Sequence, residues 1–157
     1  MTLLIRNTEL EDIPRVLELE QQNFSFPHIK EQLEREIDDP AYSLITACDK
    51  EYILGYAGLM HVEDEGYITN IVICKEYRRL GVANLLLAEF DRLATQLELS
   101  FISLEVRASN YAAIQLYLKN GYIKNADLPK YYDKPKEDGI IMTKWYLKEN
   151  KVEYFGV

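Results

Sequence analysis

The chain has 157 residues, the size of one ordinary domain, with 48% apolar and 28% charged side chains, seven glycines and five prolines, which excludes collagen-like, low-complexity and disordered classes. A chain of this length buries about 70% of its unfolded surface and needs no disulfide or structural metal. Eighteen Lys and Arg against 26 Asp and Glu leave a net charge of −8, which argues against nucleic acid or any partner held mainly by phosphate neutralisation.

Leu3, Leu4 and Ile5 open the chain as a short strand, and Thr8 with Glu11 has the spacing of a capping box. Leu10, Ile13, Val16, Leu17, Glu20 and Phe24 then recur at helical spacing, with Pro14 near the first turn, where its missing amide is tolerated. Between Lys30 and Ile37, Leu33 and Ile37 lie one turn apart among charges, and Asp38-Asp39-Pro40 ends this second helix. Tyr42 to Cys48, Tyr52 to His61 and Gly66 to Cys74 read as three strands, with connections short enough for an antiparallel meander. Val82 to Leu97 reads as a long helix with Leu85, Leu86, Phe90, Leu93 and Leu97 on one side. Phe101 to Arg107 is a strand, and Asn110 to Asn120 a helix closed by Gly121. Tyr122 to Ala126 and Gly139 to Tyr146 read as two strands around a mobile, charged loop that carries Tyr131 and Tyr132. A meander followed by strand–helix units predicts one α/β domain over 1–147, with a mixed sheet between helical layers, and a tail over 148–157.

Cys48 and Cys74 lie far apart, with neither a C-x-x-C pair nor a histidine partner, so the expectation is two buried thiols in a reducing compartment and no metal. No apolar run approaches ~18 residues and no leader pattern opens the chain, which places it in the cytoplasm without a membrane partner. His28 and His61 read as surface or capping residues rather than bases.

Arg78-Arg79-Leu80-Gly81-Val82-Ala83 sits between a strand and the long helix. The first amides of a helix lack intrahelical partners and carry the positive end of its dipole, so a pyrophosphate can be cradled there. Gly81 and the small Ala83 allow close approach, and Arg78 or Arg79 can add a charged contact. The alternative is an ordinary tight turn with solvated arginines. Neither the Walker pattern nor G-x-G-x-x-G is present.

Arg78, Gly81 and Ala83 match the acyl-CoA loop of the GNAT N-acetyltransferases, which runs Arg or Gln, two residues, Gly, one residue, then Gly or Ala. The chain also resembles their ribosomal-protein-alanine N-acetyltransferase subgroup at Leu104-Glu105-Val106-Arg107-Ala108-Ser109-Asn110, Ala113, Leu116-Tyr117, Asn120-Gly121-Tyr122, Tyr131-Tyr132 and Glu137 to Met142. The resemblance implies a GNAT-type α/β fold, acetyl-CoA as cosubstrate, and a protein N-terminus, expected to be ribosomal, as acceptor. It departs from the pattern at Phe26-Pro27-His28, where related enzymes often carry Pro-Trp.

Strand alternation puts Ser103, Glu105 and Arg107 on one face and Ile102, Leu104 and Val106 on the other. By itself Glu105 reads as a solvated or ion-paired carboxylate, Tyr117 as a core aromatic and Asn110 as a helix cap. The resemblance implies that Glu105 is the proton acceptor, that Tyr117 protonates the leaving thiolate, and that Asn110 and Tyr117 touch the coenzyme. It further implies that the main chain of Ile71, Val72 and Ile73 receives the pantetheine arm, and that Arg79, Leu80, Gly81, Val82, Ala83 and Asn84 hold the pyrophosphate. An exposed glutamate titrates near about 4.3 and is a weak base, which suits an α-amine of pKa about 8 better than a lysine of about 10.4. The same chemistry on a small amine or a lysine, and a non-catalytic acyl-CoA-binding module, are the competing expectations.

Overall fold

The fold comes from a computed structural model that describes residues 2–146; the tail expected over 148–157 lies outside them. The strands are β1 (Leu3–Asn7), β2 (Tyr42–Asp49), β3 (Tyr52–Val62), β4 (Glu65–Ile73), β5 (Phe101–Arg107), β6 (Ile123–Asp133) and β7 (Lys136–Trp145). The helices are α1 (Ile13–Asn23), α2 (Lys30–Asp38), α3 (Val82–Gln96) and α4 (Tyr111–Lys119). All the strands join one sheet in the order β1-β2-β3-β4-β5-β7-β6, and only β4 and β5 run parallel. This is the mixed, mostly antiparallel α/β sheet that the sequence predicts. Among the described residues no helix is long and apolar enough to cross a membrane.

Side-chain alternation along the strands gives the sheet two apolar faces. On one, Val82, Leu86, Phe90 and Ala94 of α3 and Tyr117 of α4 meet Ala57, Leu59, Ile102, Leu104 and Val106. On the other, Ile13, Val16, Leu19 and Leu33 of α1 and α2 meet Leu44, Tyr56 and Val72. The α3 stripe is therefore rotated from the expected one, and Leu85 stands exposed.

Three local expectations are corrected. Thr8 does not cap a helix: its Oγ1 is buried without a hydrogen-bond partner among the described residues, while its amide donates to Leu44 O at 2.8 Å in continuation of the β1–β2 pairing. The turn moves on by one residue, and Asp12 accepts from the Glu9 amide at 2.7 Å while Arg6 grips it at 2.6 and 2.9 Å. Tyr131 and Tyr132 are not in a mobile loop: they belong to β6, which pairs with β7 from Ile123↔Thr143 to Asp133↔Lys136. β6 is an outer strand, so it tolerates Pro129 and needs no apolar face.

His28 is half-buried and paired rather than free on the surface. Its Nδ1 lies 2.7 Å from Glu20 Oε1 of α1, and its Nε2 lies 3.2 Å from Glu36 Oε1 of α2. Bonds to Glu20 first and then Glu36 outweigh burial and push its pKa from 6.5 up to about 10. The folded chain thus binds this proton more tightly, and the resulting stability is complete below pH 6.5 and is lost as the pH climbs to about 10. Thermal melts of wild type and His28→Gln are expected to differ most below pH 6.5 and to converge toward about pH 10; a pH-independent difference would refute this account.

The feature that makes room for a site lies at the middle of the sheet. The β3–β4 register runs through Gly58↔Asn70 and Leu59↔Ile68, which leaves Thr69 as an extra residue. Such a bulge bends its strand. The β4–β5 ladder accordingly covers only Glu65↔Phe101, Gly66↔Ile102 and Tyr67↔Ser103, and the two strands part beyond it.

Candidate active site

One wall of the opening is the end of β4. Cys74 N donates to Leu54 O at 2.7 Å, so the antiparallel alternation turns the peptide groups of Val72 toward β3 and those of Ile71 and Ile73 toward the gap. Val72 is buried by its side chain on the α1 and α2 side. Below the gap lies the start of α3. Gly81 is its N-cap at φ +84, and no side chain caps it among the described residues. The first intrahelical bond there runs from Leu85 N to Gly81 O at 3.2 Å, so the amides of Val82, Ala83 and Asn84 stand ahead of the ladder.

A Cβ built on Gly81 meets nothing within 4 Å, so the loop is open on that side of the helix start. Arg79 and Leu80 are exposed beside it. Arg78 instead ties the loop down, with Nη2 2.5 Å from Asn23 Oδ1 and Nε 3.4 Å from Ile73 O. Asn84 accepts from Asn120 at 2.8 Å, which joins the start of α3 to the end of α4. These features fit an acyl-CoA: free amides for a pyrophosphate, and exposed strand groups for an amide-bearing arm. Gly81→Val must hold a β-branched residue at positive φ, a strain of about 1–2 kcal/mol. The expected result is a rise of about tenfold in the Kd for acetyl-CoA by calorimetry, with little change in kcat.

The other wall is β5. Glu105 is exposed, as alternation predicts, and the Tyr131 hydroxyl of β6 donates to its Oε2. That bond, ahead of partial burial, pushes the Tyr131 pKa up to about 12. Tyr132 is held above its usual range by burial and then by the Glu105 charge. Arg107 fixes the hairpin that carries both rings. Its guanidinium lies 4.4 Å from the Tyr132 ring centre and donates to Pro135 O at 2.9 Å and Lys134 O at 3.0 Å. Glu137 joins it at 3.4 Å and also accepts from Ser109 N at 2.5 Å. Asn110 caps α4, accepting from Ala113 N at 3.3 Å.

Tyr117 of α4 is only 6% exposed, edge-on to Tyr122 at 5.8 Å. Burial first, and the neighbouring Tyr132 next, raise its pKa above the ordinary phenol value. Glu105 projects from the face of β5 opposite the α3 and α4 core, and Tyr117 lies within that core, outside the groove lining, with Tyr132 near both. Among the described residues no group of three His, Cys, Asp or Glu is placed to hold a metal ion.

A groove of about 800 Å³ leads to Glu105, lined on β4, β5 and β7 by Tyr67, Thr69, Phe101, Ser103, Ile141 and Trp145. Met60, Tyr131 and Tyr132 also line it, and Glu105 is the one charged residue along it among the described residues. The sequence pointed to Glu105 but not to its bond with Tyr131 or to the Arg107 anchorage, since these unite segments more than 25 residues apart.

A seven-stranded sheet split between two parallel strands, with a helix starting below the split, defines the acyl-CoA-dependent N-acyltransferase class. Residues 13–122 match the model of the acetyltransferase (GNAT) family, and the chain belongs to that family. A putative ribosomal protein bS18-alanine N-acetyltransferase of Bacillus subtilis (strain 168) is 34% identical over 139 residues, covering 88% of this chain and 92% of its own. The crystal structure of the ribosomal-protein-S18-alanine N-acetyltransferase from Escherichia coli superposes with a TM-score of 0.84 at 27% identity, over 95% of this chain and 98% of that one. Arabidopsis thaliana NAA60 in complex with acetyl-CoA shares the fold, with a TM-score of 0.85 at 17% identity over 92% of this chain and all of that one. The protein is an acetyl-CoA-dependent N-acetyltransferase.

Proposed function

We propose that the enzyme acetylates the N-terminal α-amine of a polypeptide, with a ribosomal protein as acceptor in the cytoplasm. The observation that carries this reading is the groove: largely apolar, and neutral apart from Glu105. A polypeptide end presents a single amine and then uncharged backbone, which such a groove accommodates. A polyamine requires several carboxylates along its length, and the groove offers one. The name of the Bacillus subtilis relative supports an alanine N-terminus.

In this reading the amides of Arg79 to Asn84 and the edge groups of Ile71 and Ile73 aim the thioester at the point where β4 and β5 separate. Tyr131 holds one oxygen of Glu105 and leaves the other to take a proton from the incoming amine, directly or through water. Tyr117 supplies a proton as the C–S bond breaks, and Asn110 assists at the coenzyme. Transfer is direct, because Cys74 is buried against Arg15 and Glu76, outside the groove. Incubation with acetyl-CoA and a panel of N-terminal peptides, lysine peptides and spermidine, read by mass spectrometry, tests the assignment. N-terminal products are expected; acetyl-lysine or acetyl-spermidine alone would replace the reading with the small-amine or lysine alternative, and binding without transfer would make this a non-catalytic module.

A further inference from the structure

Glu20 and Glu36 come from different helices and aim at one spot beneath the sheet face covered by α1 and α2. Glu20 is 1% exposed, and the second oxygens of both carboxylates are buried without a hydrogen-bond partner among the described residues. Two ionised carboxylates there repel across a medium that screens poorly, and a cation between them offsets that repulsion as the helices close over the sheet. His28 occupies that point, 2.7 and 3.2 Å from the two. Tyr56 of β3 lies beneath, its hydroxyl kept protonated by burial and then by the two carboxylates.

The cluster does not end there. Asn70 of β4 donates from Nδ2 to Glu20 Oε1 at 2.9 Å, with the same nitrogen 3.3 Å from His28 Nδ1. Its Oδ1 accepts from Thr69 Oγ1 at 3.1 Å, and Thr69 is both the bulge residue and a wall of the groove beside Glu105. The contact is tight: a Cβ on Gly58 would fall 2.5 Å from Thr69 Oγ1 and 2.7 Å from Asn70 Oδ1.

We propose that His28 is a positioning residue for the acceptor: its imidazolium clamps Glu20 to Glu36 and, through Asn70, fixes Thr69 at the wall of the groove. The inference rests on reading that groove as the acceptor site. His28 touches neither substrate, and its influence falls on acceptor affinity rather than on the chemical step.

The test uses acetyl-CoA with a synthetic peptide bearing a free N-terminal alanine. His28→Gln is expected to raise the peptide KM about tenfold, with kcat within about twofold and the KM for acetyl-CoA unchanged. His28→Arg, which restores a cation between the carboxylates, should recover most of the loss. Thr69→Val cuts the last link without touching the helices and should reproduce the rise in KM, which keeps the proposal testable if His28→Gln folds poorly. An unchanged peptide KM in Thr69→Val, or a parallel fall of every kinetic constant in a folded His28→Gln, overturns it. Failure of the wild type to acetylate any N-terminal peptide overturns the acceptor reading instead, a separate outcome.

Discussion

Glu105→Gln is expected to lower kcat about a hundredfold or more at neutral pH while leaving the Kd for acetyl-CoA unchanged. Glutamine keeps the size of the side chain and an oxygen for the Tyr131 hydroxyl, so the β6–β7 hairpin keeps its seat. What disappears is the capacity to take a proton, an effect typically worth about 100- to 10,000-fold. The pH profile separates this from a packing effect. An α-amine loses its proton unaided near about pH 8, so the deficit should narrow as the assay moves above that value. A deficit that stays constant to high pH would deny Glu105 the role of base.

Tyr117→Phe is expected to reduce kcat by about ten- to a hundredfold, again without weakening the coenzyme. The ring is part of the core on the α3 and α4 side, edge-on to Tyr122 at 5.8 Å. Phenylalanine preserves that contact, and the thermal midpoint should stay within a degree or two. Because burial raises the pKa of this phenol, it keeps its proton throughout the ordinary assay range. In the proposed mechanism it would serve first as a hydrogen-bond donor to the developing thiolate and give up the proton only as the carbon–sulfur bond breaks. Equal turnover in the variant and the wild type would return Tyr117 to a purely structural part.

The elements with clear hydrophobic periodicity were legible at nearly their true bounds: β5 was expected and found at Phe101 to Arg107, and α3 begins at Val82 as predicted. β6 was not, because no residue from Ile123 to Asp133 is fully buried and an outer strand needs no alternating pattern. That hid the bond that joins Glu105 to Tyr131, which depends on the whole length of the hairpin. His28 was misread for a related reason: its partners stand eight positions away on either side, on two helices whose approach no local pattern records. A signal did exist at Glu20, a charged residue in an otherwise apolar helical stripe, where a buried acid implies a cation nearby. The free amides at the start of α3 are legible from placement, since a strand leading into a helix leaves its first amides without intrahelical partners.

Among the described residues, the β4–β5 ladder that joins the meander half of the sheet to the hairpin half has only three residue pairs, with one more backbone bond, Ser100 N to Asp64 O at 2.7 Å, beside it. The molecule is therefore built as two leaves on a short spine at Tyr67 and Ser103, each leaf ordered by its own partner strands. In the proposed function, a donor lying between them and hydrogen-bonded to Ile71 and Ile73 would take the place of the missing rungs. Cargo and mortar would then be one molecule, stiffening the leaves at the moment when the acyl group must be held still.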